Sequence, residues 1–291
     1  MRAELETLVA PDSKLERLAA GFGFTEGPAW CDAGSFLVFS DIPGDVLMRW
    51  DERTGIDEYR RPSQMANGNV YDSQGRLVSC EHATNRVVRE GAGGLEVLAD
   101  RFCGAELNSP NDVVVGPDGA IYFTDPTYGR QDYYGEPRPL ELVHRGLYRI
   151  PATGELELLA SDFDQPNGLC FSPDSRWLFV NDTVRGHIRV FSMTRAGRLV
   201  GGQVFAEVTG EGEGVADGMK VDTRGNVWCT GPGGIHVFDG SGRQLGHLWV
   251  PEVVGNFAWG GADRRWLFIC ASSSLYRIRT EVAGCGLRPV R

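Results

Sequence analysis

Six polar residues recur at the same place in a repeated sequence pattern, each at the start of a short apolar segment. These residues, which we call the leaders, are Glu26, Asn67, Asn111, Asn167, Asp217 and Asn256. Every leader carries a carboxyl or amide oxygen, and such oxygens are the ligands that hard divalent cations prefer. A single Asn or Asp would be explained better by a side-chain turn to its own backbone. Six in phase, with Glu26 among them, instead favour a shared metal ion.

The spacing of the leaders predicts the elements that position them. Successive leaders lie 39 to 56 residues apart, and a period of roughly 40 to 50 residues is typical of propellers and solenoids. Most units continue with a Gly, Pro, Asp or Ser turn, a second apolar strand and a further strand pair. The pattern predicts an all-β fold, a six-bladed β-propeller of about four strands per blade. In a propeller the first strand of each blade lines the central channel, so the leaders should form one ring.

The ends of the chain and one insertion complete this prediction. The last unit lacks a strand after residues 275–278, and we expect the N-terminal segment 14–18 to complete the sixth blade. No blade could bury both faces of its sheet alone, so we expect residues 1–291 to form a single propeller domain. Residues 128–145 form an aromatic and proline-rich insertion, and a long loop of this kind in a compact domain is usually functional.

A second set of polar residues follows the leaders, 13 to 15 positions later, where the second strands end. This second tier comprises Asp41, Glu81 with His82, Asp125, Asn181 with Asp182, and Thr230. His82 could contact substrate or shuttle protons, and it could equally be a hydrogen-bonded structural histidine. Both interpretations stay open on the sequence alone.

Charge and composition exclude several classes of function. The net charge is -10, from 39 acidic and 29 basic residues, which argues against a nucleic acid or an anionic membrane as partner. The seven cysteines contain no Cys-x-x-Cys pair, and no Gly-x-Ser-x-Gly elbow of a serine hydrolase is present. The N-terminal segment is not signal-like and no run approaches ~20 apolar residues. We therefore expect a soluble, reduced, cytoplasmic protein with a small-molecule substrate; the sequence does not indicate an oligomeric state.

At these motifs the sequence resembles the family of six-bladed propellers that includes gluconolactonase, senescence marker protein and luciferin-regenerating enzyme, distantly related to the paraoxonases. The resemblance covers nearly the whole chain. It is carried by segments 24–30, 108–113, 123–129, 164–168 and 216–219. Some members place an arginine two residues before the Asn111 position to hold sugar hydroxyls. Here that residue is Ser109, so the sugar specificity of those members does not carry over.

The resemblance implies a set of site residues. A divalent metal would be held by Glu26, Asn167 and Asp217, with Asn111 beside it contacting substrate or a metal-bound water, and Asp217 would double as acid/base. Segments 66–71 and 79–82 are similar to the bacterial gluconolactonase-type branch. This similarity implies three further residues that face the substrate: Asn67, Glu81 and His82.

The reaction that the resemblance implies is the hydrolysis of a lactone, with a sugar lactone as the expected substrate. The metal would act as a Lewis acid on the carbonyl and the tetrahedral oxyanion, while Asp217 deprotonates a water. An ionised Asp217 that touches a cation is a weak base, so the metal must supply much of the activation. Calcium is the expected cofactor, with magnesium, manganese, zinc or iron(II) as alternatives. Competing hypotheses are a metal-dependent aryl-ester or phosphotriester hydrolase on the same site, and a non-catalytic ligand- or protein-binding propeller with a structural calcium.

Overall fold

Strands make up nearly all of the secondary structure in a computed structural model that describes residues 2–152, 154–194 and 198–286. Within these residues there are one short helix, α1 (Arg2–Leu5), and one 3₁₀ turn (Tyr128–Arg130). No helix among them is long and apolar enough to cross a membrane. The strands, in chain order, are β1 (Glu16–Ala20), β2 (Thr25–Cys31), β3 (Phe36–Asp41), β4 (Val46–Asp51), β5 (Gly55–Arg60), β6 (Ala66–Tyr71), β7 (Leu77–Glu81), β8 (Arg86–Gly91), β9 (Gly94–Ala99), β10 (Arg101–Phe102), β11 (Ala105–Glu106), β12 (Val113–Val115), β13 (Ile121–Asp125), β14 (Arg145–Ile150), β15 (Glu157–Phe163), β16 (Pro166–Phe171), β17 (Trp177–Asp182), β18 (His187–Met193), β19 (Leu199–Glu207), β20 (Met219–Val221), β21 (Val227–Gly231), β22 (Gly234–Phe238), β23 (Gln244–Trp249), β24 (Val254–Gly260), β25 (Trp266–Ala271) and β26 (Ser274–Arg279).

Twenty-four of these strands form six four-stranded antiparallel sheets, which are the blades of a β-propeller, and β10 pairs with β11 in a separate two-stranded sheet. Blades 1 to 5 are β2–β5, β6–β9, β12–β15, β16–β19 and β20–β23, each in sequence order. The sixth blade has the order β24-β25-β26-β1, with Glu16 opposite Arg277. The predicted fold is therefore confirmed, including closure by an N-terminal strand. That strand is Glu16–Ala20, so it begins two residues later than the predicted segment 14–18.

Turn chemistry explains why the first two strands of a blade pair where they do. In the second blade Asp72 Oδ1 accepts hydrogen bonds from the Gln74 and Arg76 N–H groups, each 2.9 Å long. Gly75 follows with φ of +74°, a conformation that costs a glycine little. The fifth blade repeats this turn with Asp222 and Gly225. A short side chain that bonds its own turn thus fixes the register of these two hairpins.

The hydrophobic core lies between neighbouring blades. Leu37, Phe39 and Trp50 of the first blade, for example, pack with Phe268 and Leu275 of the sixth. Each sheet thus buries its faces against its neighbours, and the first strands of successive blades approach one another around the central channel.

The channel is narrow at the leaders. A Cβ atom on Gly27 would lie 1.9 Å from the carbonyl oxygen of Asn67, and one on Gly168 would lie 2.1 Å from that of Asp217. Both glycines directly follow a leader, and no larger residue fits there. This close approach of the first strands brings the leaders of different blades together at the axis.

Candidate metal centre and active site

The backbone of a leader is held by the blade before it. Thr124, near the end of β13, donates from Oγ1 to the carbonyl oxygen of Asn167 at 2.7 Å. Asn181, near the end of β17, donates from Nδ2 to that of Asp217 at 2.5 Å. The same contact is made by Ser40 to Asn67 and by the Cys270 thiol to Glu26. Side chains of the second strands therefore position the leaders of the next blade.

The charge of Glu26 acts on Asp217, although the two residues come from the first and fifth blades. Burial raises the pKa of Glu26 to about 7, with a contribution from the charge of Asp112. Burial also raises the pKa of Asp217 well above its usual range, and the charges of Glu26 and Asp112 add to this effect. A hydrogen bond from Asn167 acts in the opposite direction on Asp217. The structure thus brings together the three residues expected to hold the metal.

Asp112 is a site carboxylate that the sequence reasoning missed. It is 3% exposed, and its Oδ1 accepts the Val113 N–H at 2.9 Å. Its Oδ2 is buried without a hydrogen-bond partner among the described residues, and the Lys220 ammonium lies 3.7 Å away. A signal existed in the sequence, because Asp112 stands directly after a leader where four blades have glycine.

The donors present fit a divalent cation. Buried carboxylates that repel one another are costly unless positive charge compensates them. In the part of the chain that the structure describes, no three His, Cys, Asp or Glu side chains form a metal-binding group. A cation would therefore need amide oxygen as well, and Glu26 and Asp217 with Asn167 offer the all-oxygen donor set that hard cations prefer.

Asn167 has the orientation that such a role requires. Its side chain is buried, and Nδ2 donates to Thr183 Oγ1 at 3.1 Å. Because the amide nitrogen is used in this way, Oδ1 is the atom left for a cation. Asn111 is also buried, with its N–H donating to the Thr124 carbonyl and its own carbonyl accepting from Gly68, both at 2.8 Å. These bonds hold its backbone on both sides.

Asn256 departs from the other leaders. Its Oδ1 accepts hydrogen bonds from Lys220 Nζ and from the Phe257 N–H, each at 2.9 Å, while its Nδ2 donates to Glu26 Oε2 at 3.0 Å. It therefore presents an N–H group, not an oxygen, to Glu26. The expectation that all six leader oxygens converge is wrong for this residue, because a lysine on the neighbouring strand captures its oxygen.

His82 and Asn67 are brought together. His82 is buried, and its Nδ1 donates to the carbonyl oxygen of Tyr134 at 2.8 Å. In this tautomer Nε2 is an acceptor, and Asn67 Nδ2 lies 3.3 Å from it. Burial lowers the pKa of His82 to about 4. The imidazole is therefore neutral near pH 7, and it turns the amide nitrogen of Asn67 toward itself.

Glu81 is bonded within its own blade. Its buried carboxylate accepts hydrogen bonds at Oε2 from Arg86 Nη2 at 2.8 Å and from Thr84 Oγ1 at 2.6 Å. Both partners belong to the hairpin that joins β7 to β8. These contacts tie Oε2 to its own blade, whereas the buried Oε1 has no hydrogen-bond partner among the described residues.

Two other acids of the second tier fasten the loops that enter the first strands. Asp182 accepts the N–H groups of Asp164 at 2.7 Å and Gln165 at 3.1 Å. Asp125 accepts those of Asn108 at 2.9 Å and Ser109 at 2.8 Å. The second tier therefore supplies acceptors to backbone groups that would otherwise be buried without partners.

The insertion 128–145, which we call the covering loop, spans the leader end of the channel. It leaves the third blade after β13, and Tyr133 donates from its hydroxyl to the Gly23 carbonyl ahead of the first blade at 2.9 Å. The Tyr134 ring packs edge-on against Phe24, with ring centres 5.3 Å apart. Burial raises the pKa of Tyr134, and the charge of Asp217 contributes. The loop thus reaches across the site.

Known proteins resemble this chain along most of its length. The family described as SMP-30/Gluconolactonase/LRE-like region matches residues 24–273. A gluconolactonase of Zymomonas mobilis is 30% identical over 304 residues, which cover 96% of this chain and 85% of the relative.

Solved structures agree in fold. A gluconolactonase of Xanthomonas campestris superimposes with a TM-score of 0.89 at 37% identity, covering 96% of this chain and 92% of the other. The calcium-binding protein regucalcin of Agrobacterium tumefaciens shares the fold at 20% identity, with a TM-score of 0.80 and coverage of 96% and 98%. By the extent of these matches, the chain belongs to the SMP-30/gluconolactonase/LRE-like family of six-bladed β-propellers.

Proposed function

We propose that this protein is a metal-dependent lactonase that opens a sugar lactone at the leader end of the channel. The observation that carries the proposal is the position of Glu26 and Asp217, two buried carboxylates from the first and fifth blades, where the charge of Glu26 raises the pKa of Asp217. Such an arrangement is unfavourable in itself and becomes favourable around a divalent cation.

The relatives support the choice of substrate class. The Zymomonas mobilis protein is a gluconolactonase. A 6-deoxy-6-sulfogluconolactonase of Pseudomonas putida is 27% identical over 85% of this chain. Both names describe hydrolysis of a cyclic ester of a sugar acid, and we propose the same bond for this chain.

In the proposed reaction Glu26, Asn167 and Asp217 would hold the cation, and the bound cation would polarise the lactone carbonyl and stabilise the negative charge that develops on its oxygen. Asp217 takes a proton from the attacking water and returns it to the alkoxide leaving group, so that ring opening releases the hydroxy acid. Asn111, held on both sides by backbone bonds, orients the substrate carbonyl or the water.

The remaining residues shape the pocket. Asn67, turned by His82, offers its amide oxygen to substrate hydroxyls, and the neutral His82 acts through Asn67. The aromatic side of the covering loop limits the access of water. We do not extend a substrate contact to Glu81, because Arg86 and Thr84 occupy Oε2.

We propose calcium as the resident ion, because the donors are oxygens throughout. The test is metal analysis of the purified protein, followed by a pH-stat assay on aldonolactones before and after EDTA treatment and metal replacement. Bound calcium with activity that depends on it is the expected result. Full lactonase activity in metal-free protein would refute the metal role, and turnover of aryl esters or phosphotriesters in preference to lactones would refute the substrate class.

A further inference from the structure

Lys220 is an exception in the wall of the channel. The residues three positions after the leaders form a second ring below them, facing a cavity of about 1680 Å³ at the opposite mouth. The members of this ring are Ala29, Val70, Val114, Cys170, Lys220 and Trp259. Lys220 is the one charged residue among these six, and its side chain is 25% exposed. The position of this one charged side chain in an otherwise uncharged ring indicates a specific partner.

The Lys220 ammonium reaches toward the leaders instead of the open cavity. It donates to Asn256 Oδ1 at 2.9 Å and lies 3.7 Å from Asp112 Oδ2, the buried oxygen without a hydrogen bond. Asn256 in turn donates to Glu26. Gly218 leaves room for this arrangement, because a Cβ there would lie 2.2 Å from Asn256 Oδ1.

The charges of the site can be counted. The charge of Asp112 raises the pKa of both Glu26 and Asp217, and the charge of Lys220 lowers both. When a cation is bound and the three carboxylates are ionised, they and the one ammonium carry a net charge of about -2, which one divalent cation neutralises. Without the ammonium the same cation would leave a carboxylate uncompensated in a buried place.

We propose that Lys220 is a tethered counter-ion, which neutralises Asp112 from below and so sets the affinity of the leader ring for its divalent cation. This inference rests on the proposed metal site. Lys220 is a positioning residue, since it acts through Asp112 and Asn256. The Asn256 amide stays held without it, because the Phe257 N–H also binds Oδ1.

The test is a charge-exchange cycle with Lys220→Met, Asp112→Asn and the double variant. Calcium binding to EDTA-treated protein is measured by isothermal titration calorimetry. Lys220→Met removes the ammonium and should lower the calcium Kd about tenfold or more. Asp112→Asn removes the carboxylate charge and should raise the Kd about tenfold. The double variant should return to within about fivefold of wild type. An affinity of Lys220→Met within about threefold of wild type, or a double variant no closer to wild type than Lys220→Met, would overturn the proposal.

Thermal unfolding without metal separates this inference from the proposed function. In EDTA, Lys220→Met should lower Tm by more than about 5 °C, because Asp112 loses its counter-charge, and adding Asp112→Asn should recover at least half of that loss. If wild type bound no calcium, the proposed metal site would be refuted, but the Tm values in EDTA would still show whether Lys220 neutralises Asp112. If the second substitution recovered nothing, Lys220 would be only a packing residue. Should Lys220→Met not fold, Asp112→Asn alone still tests the sign of the charge effect on calcium affinity.

Discussion

Two rings of buried polar side chains encircle the same channel, and they do different things. In the second tier, Asp182 has a backbone N–H donor for each carboxylate oxygen. In the leader ring, the charge of Glu26 instead raises the pKa of Asp217. An acid whose carboxylate oxygens accept backbone hydrogen bonds holds a loop in place. Acids whose charges remain uncompensated are instead expected to bind a cation. Residue type, burial and repeat phase do not separate the two cases, but the hydrogen-bond partners do.

The largest expected effect is on the leader ring. Asp217→Asn and Glu26→Gln should each lower kcat/KM for an aldonolactone by about 100-fold or more, since each removes a metal-binding charge while keeping the side-chain shape. Far-UV circular dichroism should show an intact fold. Activity within a few-fold of wild type for both variants would show that the two rings do not differ as described.

Glu81 provides the matched control from the second tier. Glu81→Gln should lower the free energy of unfolding by about 2 kcal/mol or more, because it breaks a buried ion pair with Arg86. Its kcat/KM should stay within about threefold of wild type. Urea unfolding and the lactonase assay measure the two quantities. A large loss of activity at unchanged stability would instead return Glu81 to the substrate pocket that the sequence resemblance implies.

His82 sits between the two rings, since it belongs to the second tier and bonds a leader. Its pKa is lowered to about 4 by burial, so between about pH 6.5 and pH 4 the unfolded chain takes up a proton that the folded chain does not. The stability of wild type relative to His82→Gln should be constant above about pH 6.5. It should fall on acidification by up to about 1.4 kcal/mol per pH unit. Parallel pH profiles for the two proteins, from urea unfolding, would show that His82 is not buried in its neutral form.

The covering loop should give the smallest effect. Tyr133→Phe removes one hydrogen bond to the Gly23 carbonyl, worth about 1 kcal/mol. We expect KM for the lactone to rise about threefold with kcat nearly unchanged, because the loop closes the pocket without touching the reacting atoms. The matched control is Tyr59→Phe, which removes a hydrogen bond from Tyr59 in the first blade to Glu90 in the second. This substitution should leave KM unchanged. Equal KM values for wild type and Tyr133→Phe would argue that the loop does not restrict the site.

The sequence predicts the fold well because each blade is specified locally. Turn acids such as Asp72 and glycines such as Gly75 fix the hairpins within a few residues of chain. The closing strand was predictable from a missing strand, although its start shifted by two residues. The leaders were visible because their phase follows from the same repeat.

Contacts between blades were not predictable in this way. The roles of Asp112 and Lys220 depend on an approach between the third and fifth blades that no local pattern reports. The same holds for Asn256, whose oxygen faces a lysine 36 residues earlier. Glu81 differs from these residues because its partners, Thr84 and Arg86, are close in sequence. The direction in which its side chain points nevertheless depends on the register of β7 with β8, which places Glu81 opposite Arg86. The position of a residue in the repeat therefore identifies it as a candidate site residue. Its contacts across the channel then decide which role it has.

The most direct measurement is calcium titration of EDTA-treated wild type and of Glu26→Gln by isothermal titration calorimetry. Binding of one calcium ion per chain by wild type, and its loss or a weakening of about 100-fold in the variant, is the predicted result. Wild-type protein that takes up no divalent cation, or a variant that binds as tightly as wild type, would contradict the central claim that oxygens from separate blades share one ion.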